Sequence, residues 1–293
     1  EIRPGHEAGL STLIGSSPAI QKLRQQLRQY AELPFPVLIE GESGSGKEII
    51  ASSGLHYETR RCNKPFLALN CAAISANLVE ATLFGHARGA YTGAVASKTG
   101  YFEDAGEGTL FLDEIGEISS RLQVALLRVL ETGDIRPLGG NESVQIQCRV
   151  IAATNADLEK LVEAGKFRAD LLYRLKRLHL QIPPLRQRVL DIEALAAHFV
   201  NMGRPAGRTA VLLPRLKSWL RQQPWPGNAR ELRNCIERMR VLNSDKLVYD
   251  LEDVLPSSEQ ILVVPDSPGR AQPGAAEATP SADRPIQDLL DQE

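Results

Sequence analysis

A chain of 293 residues, 43% of them hydrophobic and 24% charged, is long enough to bury a core and to form one large or two modest domains. Its formal net charge of -2 gives no overall reason to expect tight binding to nucleic acid. No apolar run approaches the roughly 18 residues of a membrane-spanning helix, and no signal peptide is recognisable. We therefore expect a globular, cytoplasmic protein.

The four cysteines predict neither a disulfide framework nor a zinc site. They stand far apart, without a C-x-x-C pair or a histidine-rich segment beside them. Free cysteine behaves as a small residue that is often buried, so we expect core thiols in a reducing compartment. The cysteines are Cys62, Cys71, Cys148 and Cys235.

From residue 13 to residue 182, short apolar runs alternate with amphipathic helical patterns such as AIQKLRQQLRQY and RLQVALLRVLE. The apolar runs are Val37–Ile39, Phe66–Leu69, Leu110–Leu112 and Arg149–Ala153. Such alternation is typical of a mostly parallel sheet covered by helices, so the predicted fold class of this region is α/β. Residues 1–12 are then an N-terminal extension.

After residue 182 the strand patterns end, and helical patterns punctuated by proline and glycine follow. DIEALAAHFV, LPRLKSWLRQQ and NARELRNCIERMRVL predict a small all-helical domain over residues 183–258. Residues 259–293 are rich in proline, alanine and glycine, with too little apolar surface to fold, and predict a flexible linker.

The strongest chemical signal is VLIEGESGSGKE at residues 37–48, where a β-run leads through G-x-x-x-x-G-K into a helical stretch. Glycines let backbone N–H groups surround a phosphate, and Lys47 neutralises the outer phosphates, so the segment predicts ATP or GTP binding. Glu48 stands where most P-loops place a Ser or Thr on Mg²⁺, so the metal must depend more on water and other carboxylates. The predicted nucleotide-binding residues here are Gly41, Glu42, Ser43, Gly44, Ser45, Gly46, Lys47 and Glu48.

Two further elements suit nucleotide hydrolysis. In GTLFLDEIGE an apolar run ends at Asp113 and Glu114, at the strand edge where ligands of open α/β sheets bind. We expect Asp113 to hold Mg²⁺ and Glu114 to polarise the attacking water. In GKFRADLLYRL, Arg168 and Arg174 can project to one side of a helical segment, and arginine can stabilise a transferring phosphoryl group from a neighbouring subunit.

A family resemblance rests on many motifs in a consistent order between about residues 13 and 256. They are GESGSGKE, LNCAAI, ATLFGHARGAYTGA, GTLFLDEIGE, LLRVLETGDIRPLGG, AATNADL, FRADLLYRL, PPLRQR and WPGNARELRN. The chain resembles the bacterial enhancer-binding proteins, which are AAA+ activators of sigma-54 RNA polymerase. The resemblance implies a P-loop AAA+ core with a helical lid that hydrolyses ATP with Mg²⁺.

The resemblance also implies a role for each motif residue in the nucleotide site. Lys47 binds the phosphates, and Asp113 and Glu114 form the Walker B pair. Asn70 is a switch residue that can reposition Glu114.

The resemblance implies roles for five more residues, which would sense the bound nucleotide or act on a neighbouring subunit. Thr154 and Asn155 resemble the sensor I region, and Arg230 in GNAREL resembles the sensor II arginine of the lid. Arg168 and Arg174 resemble arginine fingers that act on the next subunit of a homo-oligomeric ring, expected to be a hexamer.

The loop at residues 89–94 reads GAYTGA, where the family usually has GAFTGA. In the family this loop contacts sigma-54, and the nucleotide state raises or lowers it, so the resemblance implies that hydrolysis remodels the closed promoter complex. Small residues allow such a loop to extend and retract. The implied contact residues are Gly89, Ala90, Tyr91, Thr92, Gly93 and Ala94.

Two further features distinguish the chain from the family pattern. KEIIASSGLHY is one residue longer than the usual run, and it carries Ser52-Ser53-Gly54 where a continuous helix is expected, so we predict a local bulge near the nucleotide. No helix-turn-helix follows the linker, so recognition of promoter or enhancer DNA is indirect, through a domain outside this chain. Since the chain begins at Glu1 without a methionine, we expect it to be a piece of a longer protein.

Two other functions are compatible with parts of this pattern. One is a different AAA+ remodeller, such as a helicase loader or unfoldase, which the loop at 89–94 disfavours. The other is a transcriptional regulator that binds ATP without remodelling, which the presence of Lys47, Glu114, Arg168 and the Tyr91-Thr92 pair disfavours.

Overall fold

The computed structural model describes residues 9–74, 76–90, 96–140, 142–205 and 207–254. Contacts divide the chain into two units, Glu1–Leu255 and Pro256–Glu293, and all described residues lie in the first. The strands are β1 (Val37–Glu40), β2 (Phe66–Asn70), β3 (Thr109–Asp113), β4 (Asp134–Ile135), β5 (Val144–Gln145), β6 (Arg149–Thr154), β7 (Leu178–Gln181), β8 (Val211–Leu212) and β9 (Val248–Tyr249). The α-helices are α1 (Pro18–Ala31), α2 (Lys47–Ile49), α3 (Ala76–Phe84), α4 (Tyr101–Asp104), α5 (Ser120–Thr132), α6 (Leu158–Glu163), α7 (Ala169–Leu175), α8 (Ile192–Asn201), α9 (Pro214–Gln222) and α10 (Asn228–Leu242).

The four apolar runs of the first region form one parallel sheet together with β7, which the sequence patterns did not predict, in the order β2-β3-β6-β1-β7. Alternate residues of β1 pack into different layers, because successive side chains of a strand point to opposite faces. Leu38 packs with the buried residues of α5 and α7, whereas Val37 and Ile39 pack with those of α1. The sheet is therefore covered on both faces, which confirms the predicted α/β fold class.

Arg149 is buried at the start of β6, with 2% of its surface exposed. Its guanidinium donates hydrogen bonds to the Tyr30 and Ala31 carbonyls, both at 2.7 Å, and so satisfies the end of α1. Weaker bonds reach the carbonyls of Leu55 at 3.3 Å and Phe35 at 3.4 Å. One side chain thus joins β6 to three other segments.

Replacing Arg149 with methionine should destabilise the domain strongly, because several buried carbonyls lose their donor. We expect the free energy of unfolding to fall by about 3 kcal/mol, measured by urea denaturation. Arg121→Met is the control: that arginine is 77% exposed and paired with Glu80, so a change within about 1 kcal/mol is expected. Equal losses in the two variants would contradict the assigned role of Arg149.

The bulge predicted after the P-loop is confirmed. Ile50–Gly54 form a π-helical turn directly after α2, which is how a helix absorbs one extra residue. The Ser52 hydroxyl donates to the Glu48 carbonyl at 2.8 Å, and a Cβ at Gly54 would lie 2.9 Å from Leu27. The additional residue is accommodated beside α1 and the sheet stays intact.

Beyond β7, the helices α8, α9 and α10 enclose a separate core that includes Leu195, Leu216, Leu232 and Tyr249. This is the predicted helical lid. It also contains the short parallel pair of β8 and β9, which the sequence patterns did not predict. The predicted boundaries, 13–182 and 183–258, stay a prediction. Within the described ranges, no helix is both long and apolar enough to cross a membrane.

Candidate nucleotide-binding site

The P-loop connects the end of β1 to the start of α2, as the strand, loop and helix pattern predicted. Gly44 and Gly46 have φ angles of 73° and 104°, in the left-handed region that favours glycine. Ser45 is buried, and its hydroxyl has no hydrogen-bond partner within the described residues. A buried unpaired hydroxyl costs free energy, so this atom is suited to a polar ligand.

Lys47 lies almost completely buried at the first turn of α2. Its ammonium donates to the Gly41 carbonyl at 3.1 Å and lies 3.7 Å from Oε1 of Glu114. The lysine therefore joins the P-loop to the end of β3, which brings together two motifs that are distant in the sequence.

Asp113 and Glu114 lie at the carboxyl end of β3, as expected. Burial raises the pKa of Asp113, while the Lys47 ammonium opposes that rise. Glu114 has a φ of 54°, which is uncommon for a residue with a side chain and is often found at functional sites. Its Oε2 accepts a hydrogen bond from the Asn155 backbone at 3.3 Å, so one carboxylate contacts both Lys47 and the predicted sensor I segment.

Asn70 lies beside Asp113 in the sheet register. Its Oδ1 accepts hydrogen bonds from the Ala72 and Ala73 N–H groups at 3.0 and 3.1 Å and so begins a short 3-10 helix. In the described structure Asn70 makes no hydrogen bond to Glu114. The switch role implied by the resemblance stays a prediction.

The lid contacts the P-loop through residues that sequence reasoning only partly found. Arg230, which was predicted, donates from its guanidinium to the Ser43 hydroxyl at 3.2 Å and from its backbone to the Gly44 carbonyl at 3.3 Å. Arg186 and Asn228 were not predicted, and both bind the Glu42 carboxylate. Hydrogen bonds from Arg186 and then Asn228 lower the pKa of Glu42 to about 2. In the sequence, the only indication of a role for them was that Arg186 belongs to the motif PPLRQR and Asn228 to WPGNAREL.

The two predicted finger arginines do not join this site. Arg168 donates to both carboxylate oxygens of Asp170, at 3.0 and 2.6 Å, on the protein surface. Arg174 donates to the Leu130 carbonyl at 2.9 Å. Within the described residues neither arginine has a hydrogen bond or ion pair with the P-loop or with the Asp113-Glu114 pair.

The loop at residues 89–94 is described only at its beginning. Gly89 has a φ of 81°, and Ala90 donates to the Ala87 carbonyl at 3.2 Å. Residues 91–94, including Tyr91, Thr92, Gly93 and Ala94, lie outside the described residues. The base of the loop is an antiparallel bridge in which His86 and Lys98 exchange backbone hydrogen bonds, both of 2.9 Å.

Comparison with known families decides the identity of this fold. The sequence model of the Sigma-54 interaction domain matches residues 13–181, and that of the AAA+ ATPase lid domain matches residues 186–261. The chain belongs to the sigma-54 interaction domain family. The resemblance to sigma-54-dependent activators is therefore confirmed, and with it the assignment to the AAA+ class.

Curated proteins with similar sequences include two regulatory proteins. A Nif-specific regulatory protein of Azotobacter vinelandii is 48% identical over 234 residues, which cover 80% of this chain and 45% of the relative. Regulatory protein AtoC of Escherichia coli is 44% identical over 268 residues, which cover 89% of this chain and 58% of that protein. The chain thus spans about half the length of these relatives.

The solved structures include NtrX from Brucella abortus, crystallised in complex with ADP and with ATP. The ATP complex superimposes with a TM-score of 0.73 at 34% identity, over 87% of this chain and 56% of that chain. A match over this share of the chain extends over both the α/β core and the lid.

Proposed function

We propose that this chain hydrolyses ATP and uses the energy to remodel the closed promoter complex of sigma-54 RNA polymerase. The observation that carries the proposal is the position of Lys47, between the P-loop carbonyl of Gly41 and the Glu114 carboxylate. The buried, unpaired hydroxyl of Ser45 supports a ligand at the same place. NtrX, a relative of the same fold, binds ADP and ATP.

In the proposed reaction, the N–H groups of residues 41–47 surround the phosphates and Lys47 turns from Glu114 to them. The Glu114 carboxylate then becomes free to polarise the attacking water. Asp113 is the proposed ligand of Mg²⁺, which neutralises phosphate charge when bound. No group of three or more His, Cys, Asp or Glu side chains forms a metal site within the described ranges, and Mg²⁺ commonly uses one or two carboxylates with phosphate and water. Asn155 and Arg230 are the proposed sensors.

Completion of the site requires a second copy of the chain. We propose that Arg168 and Arg174 act on the ATP of the neighbouring subunit in a homo-oligomeric ring, with six subunits as in the family pattern. Both arginines lie on or beside α7, and within the described residues neither has a hydrogen bond or ion pair with its own P-loop, which supports an action in trans. Promoter and enhancer DNA would be reached through a DNA-binding domain outside this chain.

The loop at residues 89–94 is the proposed contact with sigma-54. If so, the double substitution Tyr91→Ala with Thr92→Ala should reduce capture of sigma-54 by about 30-fold or more, as expected when a central contact is removed. Capture is measured in the presence of ADP with aluminium fluoride, which occupies the position of the transferring phosphate. ATP turnover should stay within about twofold, because distant sites act independently.

Tyr91→Phe is the matched control, because it keeps the aromatic ring and should preserve capture. Parental capture by the doubly substituted protein would refute the assignment of the loop. Loss of ATP turnover together with capture would show that the loop acts through the nucleotide site instead.

A further inference from the structure

Asn228 is a fully buried residue of the lid that lies against the P-loop. It is 0% exposed and has a φ of 53°, in the left-handed region that asparagine tolerates better than most residues. Residues held in such conformations persist when their surroundings require them, and they concentrate at functional sites.

The side chain of Asn228 connects three segments through both ends of its amide. Oδ1 accepts a hydrogen bond from the Leu185 N–H at 2.8 Å, at the beginning of the lid. Nδ2 donates to the Ser43 carbonyl at 3.0 Å and to Glu42 Oε2 at 3.1 Å, both in the P-loop. A longer bond of 3.4 Å reaches the Pro226 carbonyl. Only a side-chain amide supplies an acceptor and two donors in this arrangement.

The bond to Ser43 determines the direction of a P-loop N–H group. In a trans peptide the carbonyl and the N–H point in opposite directions, so holding the Ser43 carbonyl toward the lid turns the Gly44 N–H away from it. Within the described residues that N–H makes no hydrogen bond. The next peptide is also held, because Arg230 donates its backbone N–H to the Gly44 carbonyl at 3.3 Å.

The lid approaches this peptide so closely that no side chain fits between them. A Cβ added at Gly44 would lie 2.3 Å from the Gly227 carbonyl, which is far inside van der Waals contact. The peptide between Ser43 and Gly44 is therefore positioned by the lid as well as by the loop itself.

We infer that Asn228 is a positioning residue that orients the Gly44 N–H toward the phosphates of a bound nucleotide. The inference rests on the proposed binding of ATP. An N–H that contacts phosphate in both the bound state and the transition state contributes mainly to affinity, so its loss raises KM and leaves kcat.

The test uses Asn228→Asp, which keeps the shape, the acceptor for Leu185 and tolerance of the left-handed backbone but loses both donors. We expect the Kd for ATP to rise about 10-fold or more, and KM to rise with it, while kcat at saturating ATP stays within about threefold. Asn228→Gly is a neutral second variant, and a similar loss there excludes charge repulsion from Glu42 as the cause.

Asn201→Asp is the matched control in the same lid. Asn201 also accepts from one backbone N–H, of Ala210 at 2.6 Å, and donates to two carbonyls, of Ala197 at 2.8 Å and Ala210 at 3.1 Å. Its Kd for ATP should stay within about twofold of the parent even if the melting temperature falls, because its contacts lie within the lid.

Parental ATP affinity in both Asn228 variants would overturn the inference, as would an equal loss in Asn201→Asp. A fall in kcat without a change in KM would also overturn it. Failure of the proposed function would give a different result from failure of this inference. In that case the parent chain would not bind ATP, and Lys47→Ala would have no binding to reduce.

Discussion

Glu114→Ala is expected to stop ATP turnover while ATP remains bound. The carboxylate lies 3.7 Å from Lys47 and accepts a bond from the Asn155 backbone, so it is placed to polarise water at the outer phosphate. Loss of a general base reduces turnover by about 100-fold or more. The phosphate-binding loop is unchanged in this variant, so the Kd for ATP should stay near the parental value.

Lys47→Ala should have the opposite pattern, because it removes the cation that contacts the phosphates. We expect its affinity for ATP to fall about 10-fold or more. Comparing equilibrium binding with single-turnover hydrolysis in both variants separates the two roles. Hydrolysis at the parental rate by Glu114→Ala, with normal binding, would show that another group activates the water.

Arg168→Ala is expected to abolish hydrolysis in the assembled ring and to leave ATP binding intact. An arginine that stabilises the transferring phosphoryl group typically contributes about 1,000-fold or more to turnover. Because the arginine is proposed to serve the neighbouring subunit, the parental ATPase rate per subunit should rise steeply with protein concentration. Mixing Arg168→Ala with Glu114→Ala should restore activity, since interfaces then form in which one subunit supplies the arginine and the other the carboxylate.

Arg121→Ala is the control for loss of an exposed arginine, and its turnover should match the parent. An ATPase rate per subunit that is constant from dilute monomer to oligomer would contradict action in trans. Loss of ATP binding in Arg168→Ala would instead indicate that its pairing with Asp170 supports the fold.

The predictions that succeeded concern features with a local signature. Four strands of the main sheet were recognisable because parallel strands covered on both faces contain continuous apolar runs, as in the Val150–Ala153 part of β6, which is completely buried. The π-helical turn was recognisable because an extra residue and a glycine stood inside a helical pattern. Arg230 was named from its motif and contacts Ser43 and Gly44 in the structure, while its role as a sensor stays a prediction.

The features that the sequence did not reveal are the hydrogen-bond partners of polar side chains. The implied role of Asn70 as a switch on Glu114 stays a prediction, and in the structure its amide oxygen accepts hydrogen bonds from two N–H groups of the adjoining turn. Short polar side chains readily form hydrogen bonds with nearby backbone groups. Residue type alone does not show whether such a side chain binds the local backbone or a residue distant in the sequence. Glu42 was expected only as part of the phosphate-binding loop, yet its carboxylate binds Arg186 and Asn228 of the lid.

By itself, the amino-acid sequence determined four of the five strands of the main sheet, the P-loop between β1 and α2, and the acidic pair at the end of β3. Each of these features follows from residues that are neighbours in the sequence: the spacing of hydrophobic residues indicates strands and helices, and glycines mark the turn of the P-loop. Only the tertiary structure decided that Lys47 pairs with Glu114, that Arg149 satisfies the end of α1, and that Asn228 holds the P-loop. Asn228 and Glu42 are separated by 186 positions, and such a contact depends on how the lid packs against the sheet rather than on any local pattern.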